Sequence, residues 1–268
     1  MEGVEGLMKG LKLSEAEKKG LKIGATAGGK ELVGAESSPR AVGKLFSEKP
    51  AHASVIGHTL GRIWCPIKGV DCKELDENIF LFSFRQASGW RRALEEGPWW
   101  FDKELLVMEE YDPEKTTDEY EFRFIPIWVR VYGLPVGSMN REAGEKIGED
   151  IGEVLEVDVG PDGTTAGNFL RIKVRLDIRK ALMRFFLLDR GDKSGVKDMN
   201  MDEGVGGKQR EMLWCRFEYE YLPDFCYTCG VIGHGEKECK LRVKKGEAPQ
   251  FGPWLRVMEE GRRSGDGS

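Results

Sequence analysis

Nowhere in the 268 residues is there an apolar run long enough to cross a bilayer. The N-terminus, with Glu2 and Glu5, offers no stretch of signal-peptide length. These absences predict an intracellular protein with no membrane contact, in the nucleus or the cytoplasm, the nucleus slightly favoured. A basic excess is also missing: 41 Lys and Arg face 46 Asp and Glu, a net charge of −5. That excludes a uniform cationic coat for duplex DNA, so any nucleic-acid site must be a local patch. Histidine is scarce. Two of the three, His52 and His58, fall in a helix expected to be scaffold, which leaves little for a convergent catalytic cluster. Neither an enzyme nor a small-molecule substrate is expected. A phosphate loop is mimicked by Gly24, Gly29 and Lys30, but Glu31 stands where a Ser or Thr hydroxyl should meet magnesium, and no strand precedes it.

What is present suffices for two small domains, since 40% of the residues are hydrophobic. Residues 1–40 read as a flexible segment, with one helix start where Ser14 could cap and Glu17 reach back, ended by Gly20. From Val42 to Asp112 the pattern is strand, helix, strand, strand, helix, strand, the order of a ferredoxin-like module over 41–112. Its strands are Val42–Phe46, Val70–Leu75, Ile79–Phe84 and Leu105–Glu110. Its helices are Ala51–Trp64, with Val55, Leu60 and Ile63 available for one face, and a second packed through Trp90, Ala93 and Leu94. Phe80, Phe82 and Phe84 share a strand face and read as core.

A second RRM-like, β-rich module over 122–222 begins with the alternating strand from Ile125. A helix near Met139–Ile151 and strands Val154–Val159 and Phe169–Ile178 follow. It looks incomplete or variant, because residues 179–190 fit a short helix or a strand and 191–209 a flexible loop before the Met212–Tyr221 strand. The fold class is thus α+β: tandem ferredoxin-like/RRM-like modules, followed by a small unit at 223–241, which the spacing of Cys226, Cys229, His234 and Cys239 marks as a CCHC zinc knuckle, and a flexible tail at 242–268.

Of the six cysteines, Cys65, Cys72 and Cys215 read as buried free thiols. The other three join His234 in a C-x2-C-x4-H-x4-C pattern, Cys226, Cys229, His234 and Cys239. Two cysteines separated by two residues can point inward from one tight turn, and the longer gaps bring the last two ligands to the remaining vertices of a tetrahedron. Gly230 and Gly233 relieve the bends. With four protein ligands no position is left for water or substrate, so one structural zinc ion is expected. Chelation should then unfold residues 223–241 and spare the larger modules.

The run Cys226-Tyr227-x-Cys229-Gly230-x-x-Gly233-His234 resembles the CCHC knuckles of retroviral nucleocapsid proteins, which bind single-stranded nucleic acid. On that resemblance Tyr227 and Ile232 line a base-contacting cleft; the alternative is that they shield the metal site. Further stretches are Val42-Gly43-Lys44-Leu45, Gly97-Pro98-Trp99-Trp100-Phe101, Ile127-Trp128-Val129-Arg130-Val131, Gly152–Asp158, Leu222–Tyr227 and Gly252-Pro253-Trp254-Leu255-Arg256. Together they resemble a plant family in which a retrotransposon-associated domain of unknown function precedes such a knuckle. The family is similar to the first open reading frame of LINE-type retroelements. The resemblance implies RNA or single-stranded DNA binding with no known catalysis.

Alternation assigns the faces of the second sheet. Ile127, Val129, Val131, Leu170, Ile172, Val174 and Leu176 form the buried set, leaving Trp128, Arg130, Tyr132, Phe169, Arg171, Lys173 and Arg175 on the opposite face. Four cations and three rings on one exposed face suit a single strand, the cations tracking phosphate while the rings stack on bases. The competing reading packs Trp128 and Tyr132 under the 191–209 loop. The partner is therefore expected to be single-stranded RNA or DNA, the alternative being a protein-interaction adaptor that uses the ferredoxin-like surface and the knuckle.

Overall fold

The computed structural model describes residues 38–190, 212–241 and 248–257, with residues 11, 12, 14, 15 and 17–19 near the N-terminus. The mimic of a phosphate loop at Gly24–Glu31 and the expected 191–209 loop lie outside the described residues, as do residues 13, 16 and 20. At the N-terminal segment the reciprocal cap is present. The Ser14 hydroxyl accepts from the Glu17 N–H at 3.4 Å, and the Glu17 carboxylate accepts from the Ser14 N–H at 2.7 Å.

Residues 40–110 form β1 (Arg40–Leu45), α1 (Ala53–Trp64), β2 (Val70–Asp76), β3 (Ile79–Phe84), α2 (Ala87–Glu95), β4 (Trp99–Phe101) and β5 (Glu104–Glu110). The antiparallel sheet runs β2-β3-β1-β5-β4, a ferredoxin-like plan extended by the short edge strand β4. Ala41, Leu45, Phe80, Phe82, Phe84 and Leu106 close a core with the two helices, in which Trp64 meets Phe82 edge-on at 5.3 Å. The helical face differs from the expected one. The buried stripe is Ile56, Leu60 and Trp64, with Gly57 and Gly61 against β2, whereas Val55 and Ile63 are half exposed. Glycine at two positions lets the helix settle onto the strand, which turns the neighbouring apolar residues to solvent.

The helices cross at Gly89, where a β-carbon would sit 1.9 Å from Cys65 Sγ and 2.8 Å from the Trp64 carbonyl oxygen. Gly89→Ala should gain ~1 kcal/mol of helix propensity yet cost about 2 kcal/mol net, because the obstacle is backbone and a buried sulfur. A denaturant midpoint equal to wild type would show that the crossing is looser than described.

Residues 124–219 repeat the sheet plan, with one helix among the described residues. The elements are β6 (Phe124–Tyr132), α3 (Arg141–Ile151), β7 (Glu153–Asp158), β8 (Phe169–Asp177), β9 (Phe185–Asp189) and β10 (Met212–Tyr219), and the sheet order is β7-β8-β6-β10-β9. The order matches the first sheet, with β9 in the place of β4, and no counterpart of α2 lies among the described residues. Within 179–190, open between a short helix and a strand, residues Phe185–Asp189 form a strand. α3 starts at Asn140, whose side-chain oxygen accepts from the Ala143 N–H at 2.9 Å.

The other face of the first sheet is not open. Val42, Ile79, Leu105 and Val107 belong to one continuous core with the second module's Ile125–Val131 and Leu170–Leu176 alternation, the connector residues Tyr120 and Phe122, and Phe225, Ile232 and Leu255. Leu222, Phe225, Ile232 and Leu255 thus help close this core. The expected flexible tail is corrected in part: residues 248–257 return along the knuckle, and Val257 N–H donates to the Tyr219 carbonyl at 3.0 Å. Leu255, fully buried, is what anchors it. Cys65 and Cys215 are buried and Cys72 is half-buried. Burial raises all three thiols, Cys72 up to about 12, which keeps them protonated and unreactive near neutral pH. Among the described residues no helix is long and apolar enough to cross a membrane.

Candidate metal centre and nucleic-acid interface

The loop from Phe225 to Cys239 folds back on itself through a bridge between Phe225 and Ile232, and this brings the four ligand-type side chains together. Their donor atoms all lie within 4.8 Å of one another, and Cys229 Sγ is 3.3 Å from His234 Nε2. A tetrahedral zinc site has ligand–ligand edges of ~3.5–3.8 Å, so three thiols and an imidazole at this spacing fit the ion by geometry and by donor chemistry. The backbone supplies the next layer. Burial raises Cys226, but the N–H groups of Cys229 and Thr228 and the neighbouring thiols outweigh it and lower the group; burial pushes Cys229 up to about 11. Such N–H contacts orient the sulfurs that would hold the metal.

Gly230 and Gly233 both have positive φ, +75° and +90°. At Gly230 a β-carbon would also meet the Phe251 ring at 2.3 Å, so the returning segment seats directly on the knuckle. Phe251 N–H donates to the Tyr227 carbonyl at 3.2 Å, and Leu182 N–H to the Gly230 carbonyl at 2.9 Å. Arg256 fixes the approach, donating to Asp224 at 2.7 Å and to the carbonyls of Leu222 and Pro223.

Tyr227 and Ile232 are not alike. Ile232 is buried in the shared core, while half-buried Tyr227 leans on Phe225 at 5.1 Å. Both border a cleft of about 650 Å³ between the knuckle and the first module, whose opposite wall carries Phe46, Trp100, Lys103 and Leu105.

On the second sheet the register sets Trp128 opposite Lys173, Arg130 opposite Arg171 and Tyr132 opposite Phe169, so the seven residues singled out by alternation do share one face. They are not free cations and bare rings. Glu220, just past β10, is buried on this face and accepts from Arg130 Nε at 2.7 Å and from Arg171 Nε and Nη2 at 2.9 and 2.8 Å. Arg171 also reaches Asp158 at 3.3 Å, and Arg175 reaches Glu153 at 2.9 Å. Burial would raise the Glu220 carboxyl, but the bonds from Arg171 and Arg130 hold it below the usual range. Three of the four cations expected to track phosphate are thus ion-paired, because strand β7 and the end of β10 bring carboxylates to the same face. Lys173 alone of the four has no carboxylate partner among the described residues.

The rings are engaged as well. Arg171 lies 3.8 Å from the centroid of Trp128, Arg130 4.6 Å from Phe169, and Arg216 4.2 Å from Tyr132. Farther out on the same face stands Trp214, 62% exposed, with Phe185 of β9 at 4.5 Å as its ring neighbour. The alternation Leu213, Cys215, Phe217 in the core against Trp214 and Arg216 outside could have revealed this pair, but β9 had no assigned face.

Two sheets of one plan, joined by a shared core to a four-ligand knuckle, define an α+β protein of the zinc-knuckle class. Within that class, residues 41–119 match the family described as Domain of unknown function (DUF4283), and residues 199–241 match the family described as Zinc knuckle. The chain carries the two in that order. It is 23% identical over 150 residues to Uncharacterized protein At4g02000 of Arabidopsis thaliana, a stretch covering 56% of this chain and 42% of that protein, so it spans under half the relative's length. Among solved structures it is similar to the first two RRM domains of yeast poly(U) binding protein (Pub1), at 10% identity and a TM-score of 0.21. That match covers 50% of this chain and 81% of the other.

Proposed function

We propose that the chain is a zinc-dependent, non-catalytic binder of single-stranded nucleic acid, RNA or DNA, of retroelement descent. The observation that carries this reading is the closed set Cys226, Cys229, His234 and Cys239, held in a knuckle beside a cleft that Tyr227 borders. The compensated sheet face sets the expected character of binding. With few uncommitted cations, affinity rests on stacking more than on phosphate.

Fluorescence anisotropy with labelled single-stranded RNA and DNA at two salt concentrations tests the reading. About two phosphate contacts are expected, which gives roughly a sevenfold loss between ~50 and ~200 mM salt. No binding at either concentration overturns the proposal. The adaptor reading has one observation of its own: Val55, Ile63 and Ile67 line the outer side of α1 and the turn after it, 49–87% exposed.

A further inference from the structure

The exposed end of the second sheet and the knuckle are linked by a file of planar side chains. Trp214 meets Phe185 at 4.5 Å between ring centroids. Arg184 lies 5.2 Å from the centroid of Phe185 and 5.2 Å from that of Phe251. Phe251 covers Gly230 of the knuckle and is tied by its N–H to Tyr227. None of Trp214, Phe185, Arg184 or Phe251 is among the residues that alternation or the knuckle spacing selects.

Two properties set this file apart from the centre of the sheet. The rings Trp128, Tyr132 and Phe169 each have a guanidinium within 5 Å of the centroid, whereas Trp214 has no cation over it among the described contacts and is 62% exposed. Arg184 donates to the carbonyl and side-chain oxygens of Gln250, at 3.2 and 3.0 Å, and has no carboxylate partner among the described residues. Its charge is uncompensated where those of Arg130, Arg171 and Arg175 are not. A free ring face, an uncompensated cation and continuity with the knuckle match a polyanion with flat apolar groups, and match an apolar protein surface less well.

We propose that Trp214, Phe185, Arg184 and Phe251 form a track along which a single strand passes between the outer edge of the second sheet and the zinc knuckle. A base stacks on Trp214, and a phosphate is met by Arg184. The inference rests on the single-strand reading above and specifies where the strand lies.

The test uses the full zinc-loaded chain and a labelled, unstructured single-stranded RNA long enough to span the track. Trp214→Ala should weaken binding roughly tenfold or more with little change in salt dependence, and Trp214→Phe, which keeps a ring, should recover most of that loss. Arg184→Gln should flatten the salt slope by about one phosphate contact. Because Trp214 is largely exposed, circular dichroism should show all three variants folded. Wild-type affinity in Trp214→Ala, or equal losses in the Ala and Phe variants, overturns the track and leaves the single-strand reading standing. Failure of the wild-type chain to bind RNA or DNA overturns both.

Discussion

Chelating the zinc is expected to unfold more than the knuckle, against the sequence expectation that the larger modules are spared, because the knuckle shares a core with the second module. Structural zinc can contribute ~10–16 kcal/mol to a small metal-folded unit, and here that unit is continuous with the core. Phe225 and Ile232 sit in the same cluster as Val129, Phe217 and Leu105, and Leu255 is held against them by the returning segment. Hydrogen exchange followed through addition of a chelator should show protection lost at the amides of Leu182, Phe251 and Val257, which bond to Gly230, Tyr227 and Tyr219. Amides of α1 and α2, whose core is separate, should stay protected. Loss confined to residues 223–241 would mean that the knuckle is an appendage and the shared core does not depend on it. Cys229→Ser should reproduce the effect of chelation.

The second large effect is expected at Glu220. Replacing it by Gln leaves Arg130 and Arg171 without their common carboxylate on a half-buried face. The cost should be about 2–3 kcal/mol, below the usual range for a fully buried pair because both guanidinium groups keep some solvent contact. The pH dependence has a definite sign. The carboxyl is depressed in the folded chain, so its contribution is fully present above the unfolded value of roughly 4.3 and is lost as pH falls through the folded value. Denaturation of wild type and Glu220→Gln between about pH 7 and pH 3 should therefore converge at the acid end. A constant difference across that range would show that the ion pairs do not set the stability of this face. Arg171→Ala carries the same lesson: it would disturb folding as well as charge, so lost binding in that variant would not by itself locate a phosphate contact.

Periodicity made most of the fold legible. The strict alternation of Ile127-Trp128-Val129-Arg130-Val131 places β6 and its faces without ambiguity, and the Cys226–Cys239 spacing identifies the metal centre because tetrahedral geometry tolerates few other arrangements. Where two stripes lie one residue apart, periodicity does not decide. Val55 and Ile63 compete with Ile56, Leu60 and Trp64, and the winner is set by Gly57 and Gly61, which add no hydrophobicity and act only by permitting approach to β2. Glu220 was illegible for another reason. Its partners Arg130 and Arg171 are 90 and 49 residues away, so no local pattern marks the carboxylate that neutralises the face. Likewise the return of residues 248–257 depends on Leu255 and Phe251 finding the core and the knuckle, a long-range event in a segment with little local pattern.

The burial of both sides of the first sheet bears on what counts as a unit here. A sheet with helices on one side and Val42, Ile79, Leu105 and Val107 pressed into a neighbour on the other has no outer layer of its own. Cut out at residue 119, it would carry a bare apolar patch into water. The limit of the domain of unknown function is thus a border between sequence families that the folding unit crosses, and the first module and the one that covers it must be inherited, exchanged or engineered together.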